Sequence, residues 1–102
     1  MPQFNINVSR TAFAMLDKHV KFLAQVNGKA ADKLRKDVIS RIRSLDENPK
    51  KFPLWLPHFD LPKPFRRIII SKRYIVLFVI EGNKVHVAYV LDSRMNNDEL
   101  FE

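Results

Sequence analysis

The stretch that most constrains the fold runs from residue 65 to residue 80, Phe65-Arg66-Arg67-Ile68-Ile69-Ile70-Ser71-Lys72-Arg73-Tyr74-Ile75-Val76-Leu77-Phe78-Val79-Ile80. Two apolar runs rich in β-branched and aromatic residues flank a short basic break. That pattern reads as two strands joined by a turn. The second run is continuously apolar, as expected of a central strand covered on both faces, or on one face with an interaction surface on the other. Paired arginines open the first strand and a third, Arg73, sits at the turn. Guanidinium groups stay charged and present a planar fork of donors that matches phosphate or carboxylate oxygens. The hairpin is therefore either a rigid mount offering arginines to an anionic partner, or a core hairpin with solubilising charges around it.

The remaining elements follow from periodicity. Phe4, Ile6 and Val8 alternate with Asn5 and Asn7, the period-2 pattern of a half-buried strand. Ser9 offers a helix N-cap. Phe13, Leu16, Val20, Leu23 and Val26 then recur at steps of three and four, which predicts a helix over residues 10–26. Asn27-Gly28 breaks it, with Gly28 expected as a left-handed C-cap. Ala31, Leu34, Val38, Ile42 and Leu45 predict a second helix over residues 29–47, closed by Pro49. Five of the six prolines lie in residues 49–64, with Phe52, Trp55 and Phe59 between them. Such a loop either carries function or brings aromatics to cap the core. Strands are expected at 65–71, 74–80 and 85–91, the last two joined at Glu81-Gly82-Asn83-Lys84.

These elements predict one α+β domain over residues 1–102. It has an N-terminal strand, an antiparallel helical hairpin and a three-stranded antiparallel meander, with the helices on one face of a four-stranded sheet. The other face is expected to be partly open, between the proline loop and an acidic tail.

Charge and composition narrow the chemistry. The net charge is +7. Residues 1–48 hold nine basic and five acidic side chains, and residues 49–94 hold nine basic and three acidic. The tail holds Asp98, Glu99 and Glu102. The basic excess thus concentrates in the loop and hairpin half, which favours nucleic acid or an acidic protein as partner. There is no cysteine, so disulfides, thiol catalysis and thiolate metal sites are excluded, compatibly with a reducing cytoplasm. No apolar run is long enough for a membrane span, and residues 1–9 lack a signal-peptide pattern. His19, His58 and His86 show no metal-ligand spacing, and with only Gly28 and Gly82 there is no phosphate loop. Neither metal nor cofactor is expected.

An arginine-based site remains. Arg67, Ile69 and Ser71 share one strand face, and Arg66, Ile68 and Ile70 share the other. Arg73 at the turn is expected on the face of Ile75. Arg94 follows the last strand beside Asp92, and Lys63 and His58 lie in the loop feeding the hairpin. Converged on one concave surface, these groups would position an RNA phosphate and stabilise an oxyanion transition state, or hold an acidic peptide. Asp92 is either an arginine-orienting carboxylate or turn cap, or a proton-transfer group.

Several motifs in order carry a resemblance. They are Val8-Ser9-Arg10-Thr11-Ala12 at the end of the opening strand, Ser44-Leu45-Asp46-Glu47-Asn48-Pro49 after the second helix, Leu61-Pro62 before Arg66, and Tyr74-Ile75-Val76-Leu77-Phe78-Val79 as the strand core. Together they make the chain resemble the RelE/ParE superfamily of bacterial type II toxin–antitoxin toxins, over almost its whole length. The resemblance implies a small toxin neutralised by a cognate antitoxin, with either ribosome-bound mRNA or DNA gyrase as target. The mRNA-cutting branch places an arginine after the middle-strand tyrosine, where this chain has Ile75, with Arg73 nearby as substitute. It also places an arginine or histidine after the last strand, which Arg94 matches. The frequent C-terminal tyrosine is replaced by Leu100 and Phe101. Ribosome-dependent mRNA cleavage is the first expectation, with Arg67, Arg73, Arg94 and Asp92 as catalytic candidates. Lys63, Arg66 and Lys72 would bind RNA or antitoxin. The RNA 2′-hydroxyl would be the nucleophile, with no cofactor. A gyrase poison, a catalytically silent relative and a non-toxic RNA-binding domain are the alternatives.

Overall fold

A computed structural model of the chain describes residues 3–57, 59–95 and 101. Strand β1, Asn5–Val8, ends at Ser9, whose extended backbone and side chain start helix α1, Arg10–Ala24. The Ser9 hydroxyl accepts from the Ala12 N–H and donates to the Ala88 carbonyl. One side chain therefore satisfies a helix end and ties it to the sheet. Helix α2 is Gly28–Arg43, and Asn27 caps it by accepting from the Ala30 N–H. Gly28 thus opens α2 and is not the left-handed end of α1. The Asn27 side chain already supplies the stop and the restart, and α1 ends at Gln25 in right-handed conformation. The second helix also ends sooner than its apolar stripe predicts. Its last turn tightens to a 3₁₀ turn over Ser44–Asp46, and Pro49 opens another over Pro49–Lys51.

Three strands complete the sheet: β2, Arg66–Ile70, β3, Tyr74–Glu81, and β4, Lys84–Asp92. Their spatial order is β1-β4-β3-β2. The meander β2-β3-β4 is antiparallel, while β1 runs parallel to β4 with Ile6 opposite Val85 and Val8 opposite Val87. A bulge between Leu77 and Phe78 leaves Ala88 unmatched in the β3–β4 ladder. That is the residue whose carbonyl receives Ser9. Gly82 supplies the positive φ of the β3–β4 turn. The β2–β3 turn places Ser71 and Lys72 both at positive φ, a conformation that costs a non-glycine residue about 1–2 kcal/mol.

The helices cover one sheet face. Leu16 and Val20 of α1 and Leu34, Val38 and Ile42 of α2 pack onto Ile68, Ile70, Val76, Phe78, Val85, Val87 and Val90. The α2 stripe is buried throughout, including Leu45. The α1 stripe is not. Phe13 is 57% exposed and Val26 82% exposed, while Ala12 is buried. Beside Phe13 the helices leave an apolar cavity of about 360 Å³ against β1, lined by Ile6, Val8, Ile39 and Ile42 with Arg43.

The opposite face holds Leu77, Val79 and Leu91. The proline loop crosses it, returning Trp55 N–H to Phe65 O and Arg67 N–H to Pro53 O. Trp55, Leu61, Phe65 and Phe101 cap that half of the face. The half nearer the β2–β3 turn stays open at Ile69, 47% exposed. Among the described residues no helix is long and apolar enough to cross a membrane.

Candidate functional site

The sheet register places Asp92 directly opposite Tyr74 at the turn end of the sheet. Asp92 is 3% exposed, and a carboxylate withdrawn from water needs strong donors. Arg73 supplies two of them. Its Nε and Nη2 donate to Oδ2 at 3.2 and 3.0 Å. The other oxygen, Oδ1, accepts the Arg94 backbone N–H at 3.0 Å and lies 3.5 Å from Arg94 Nε. Asp92 therefore orients an arginine and caps the turn after β4. Arg73 is held further by its guanidinium lying 4.8 Å from the Tyr74 ring centre, and by its carbonyl accepting from Ser93 N–H. Only 23% of its side chain meets solvent, against 62% for Arg94.

Tyr74 adds an anomaly. Its ring packs 5.5 Å from that of His19, whose Nε2–H donates to the Val90 carbonyl at 2.8 Å. The phenol oxygen is buried and finds no hydrogen-bond partner among the described residues. Burial pushes the phenol pKa up. The Arg73 charge pulls it back and Asp92 adds to the rise.

The other sequence-derived candidates lie elsewhere. Arg66 and Arg67 alternate across β2, so they occupy opposite faces. Arg66 folds over the helix-side end of the strand, donating to Phe52 O at 2.6 Å and Lys50 O at 3.3 Å. It holds the Pro49–Lys51 turn in place. Arg67 sits opposite Leu77 on the loop-side face, and its side chain makes no hydrogen bond or ion pair with a described residue. Lys63 lies 3.8 Å from Glu81, at the far end of β3 from Tyr74, a separation of about 23 Å for a strand of this length. His86 reaches the same glutamate at 3.8 Å. Lys72 is exposed in the hairpin turn. His58 and most of the acidic tail fall outside the described residues.

The single concave surface expected from the sequence is thus divided. Arg73, Arg94 and Asp92 come together, with Lys72 next to them in the chain. Lys63 and Arg66 do not join them, because Lys63 stands at the far end of the eight-residue β3 and Arg66, although on the face of Tyr74, pairs opposite Phe78, four residues along it. Arg73 also turns away from the face of Ile75, toward Tyr74 and Asp92, where the buried carboxylate accepts two hydrogen bonds from its guanidinium. Two features escaped the sequence reading. The Tyr74–His19 contact was signalled only by His19 standing three residues after Leu16 on α1. Phe101, whose ring lies 5.4–5.8 Å from those of Trp55, Phe59, Phe65 and Tyr89, was signalled by an aromatic residue within a polar tail.

A capped helical hairpin on one face of a four-stranded sheet is the architecture that the resemblance to the RelE/ParE toxins implies. A family model described as "ParE toxin of type II toxin-antitoxin system, parDE" matches residues 6–97. The chain belongs to that family. A solved structure titled "Chromosomal ParDE TA system from P. aeruginosa" is similar with a TM-score of 0.72 at 16% identity, over 88% of this chain and 96% of that one. At that identity the likeness concerns the fold. No curated protein matches the sequence.

Proposed function

We propose that this toxin acts by binding DNA gyrase and not by cutting RNA, and that a cognate antitoxin holds it inactive. One observation carries the reading. Arg73, the residue available to stand in for the arginine missing at Ile75, is committed to Asp92 through two hydrogen bonds. A catalytic donor acts by pointing at the position where charge develops, and this fork points into the protein. Arg94 and Arg67 remain available, but no contact links them. A binding surface tolerates such dispersal where a phosphoryl-transfer site does not. The sequence's lean toward mRNA cleavage therefore gives way to its first alternative.

The antitoxin would meet two features. One is the open half of the loop-side face, where Arg67 adjoins Ile69. The other is the apolar cavity beside Arg43, which suits one large aliphatic side chain. An acidic segment carrying apolar residues matches both, with association slowed by salt.

The test pairs two assays on one preparation. Purified toxin should block gyrase-dependent supercoiling and leave a translated message uncut in toeprinting. The neighbouring gene product should relieve both growth arrest and gyrase inhibition. Ribosome-dependent cuts with supercoiling intact would overturn the reading.

A further inference from the structure

On the outer side of the β2–β3 turn, α2 and β2 enclose a polar depression of about 330 Å³. Lys33, Asp37, Ser40 and Arg41 line it from the helix, Ile69 and Ile70 from β2, and Ser71 from the turn. Helical spacing explains the grouping, since residues four, seven and eight apart fall on one face. The stripe continues beyond the depression. Arg41 and Lys51 flank the Phe52 ring, with their charged groups 5.9 and 5.2 Å from its centre. Arg66 fixes the turn that carries Lys50 and Lys51 by holding its carbonyls. Lys72 stands at the other end. None of Lys33, Arg41, Lys50, Lys51 and Lys72 forms an ion pair with a described carboxylate. By contrast Lys21 and Arg35 share Asp17, Arg73 and Arg94 share Asp92, and Lys63 meets Glu81.

We propose that this strip binds the phosphodiester backbone of a nucleic-acid duplex. Lysine, arginine and serine are the side chains that contact backbone phosphates, and the depression offers all three on rigid elements. Protein partners are captured chiefly by apolar and aromatic anchors in pockets, and this lining, although Ile69 and Ile70 form its strand wall, presents no aromatic ring and is otherwise polar. Single strands are held by bases stacked on exposed aromatic rings. The strip's one aromatic, Phe52, is half-buried and already covered by two cations. Lys33 and Arg41 are about 12 Å apart along the helix, and Lys51 meets the same Phe52 ring as Arg41, so the strip spans several phosphates of one strand. Asp37 opposes the anion from within the strip. It limits affinity and gives the proposal a sign that a general charge effect would not share. The inference is independent of the gyrase reading, since it concerns any duplex.

Fluorescence anisotropy of a labelled 20-base-pair DNA with the full-length toxin tests it. With about four phosphates neutralised, the affinity should fall with salt at a log–log slope of about 3–4. Lys33→Ala with Arg41→Ala should weaken binding at least about tenfold and lower that slope by about 2. Asp37→Asn should tighten binding. Lys18→Ala with Lys84→Ala, which removes the same charge from other surfaces, should change binding much less. Circular dichroism establishes that each variant is folded. Equal binding to duplex RNA supports the proposal, because the ligand is the backbone. Stronger binding to single-stranded RNA or to polyglutamate overturns it, as does an equal loss in the Lys18/Lys84 control.

Discussion

The two faces of the sheet are built by different means. On the helix side, apolar residues arrive at regular intervals from α1 and α2 and meet alternate residues of four strands. On the loop side, the cover comes from Trp55, Leu61 and Phe65 out of an irregular proline-rich segment, and from Phe101 near the end of the chain. Regular elements bury a whole stripe at once, so each contact is supported by its neighbours along the same helix. Loop and tail contacts bring one ring at a time and must each overcome the ordering entropy of their own segment. The helix-side core should therefore hold the fold, while the loop-side cover tunes it and leaves the half nearer the β2–β3 turn open for a partner.

Matched truncations on the two faces test that contrast most strongly. Phe78 is fully buried on the helix side, edge-on to Phe52. Phe78→Ala should cost about 3–5 kcal/mol and leave little folded protein. Phe101 is half-buried. Phe101→Ala should cost about 1–2 kcal/mol, since only part of its area leaves water, with the helix-side core intact. Denaturant unfolding of both variants measures the pair. Equal losses would mean that the loop-side cover is as integral as the helical one.

The arginine–carboxylate knot joins the faces at the turn end of the sheet. Asp92→Asn retains the shape but removes the charge that fixes Arg73. It should destabilise by about 1–3 kcal/mol, less than removing a partner from a fully buried pair, because Arg73 keeps some solvent. Arg73→Ala should cost a similar amount, and the double variant little more than either single one. A coupling of at least about 0.5 kcal/mol in that cycle is expected for groups sharing hydrogen bonds. Additive losses would show that Arg73 is not committed to Asp92, and would reopen its candidacy as a phosphate-facing donor.

The same contrast explains what the sequence made legible. The α2 stripe from Ala31 to Leu45 is buried as its period requires, and the three meander strands lie within a residue or two of their expected bounds. Periodic burial is a local property, visible in one segment at a time. Phe13 and Val26 share the α1 period but protrude, Phe13 because Ala12 beside it takes the buried position and Val26 because it lies past the end of the helix at Ala24. Gly28 was misread because a capping asparagine and a capping glycine both end helices, and only the backbone conformation separates them. The site was harder still. The pairing of Arg73 with Asp92 depends on the register between β3 and β4, and the bulge at Leu77–Phe78 alters that register by one residue. The separation of Lys63 from Arg94 follows from strand length, which was readable. The inward turn of Arg73 was not, because it answers to the burial of a carboxylate nineteen residues away.

The smallest expected effect concerns the Tyr74 hydroxyl, which lies beneath the helices beside the knot. A buried phenol oxygen without a partner has lost its water and gained nothing in return. Tyr74→Phe keeps the ring against His19 and beneath Arg73 while removing that oxygen. Stability should rise by up to about 1 kcal/mol. The pH dependence should change as well. Burial raises the folded-state phenol pKa above its usual value near 10, so the neutral form is the one the fold favours. That contribution is fully present below the unfolded value and is lost as pH rises through the folded one. Wild type should therefore lose stability above about pH 10 more steeply than Tyr74→Phe, while the two curves run parallel at neutral pH. Thermal unfolding across that range reads both. A variant less stable than wild type at neutral pH would show that the hydroxyl holds a hydrogen bond, and would make the helix side of the knot a polar centre in its own right.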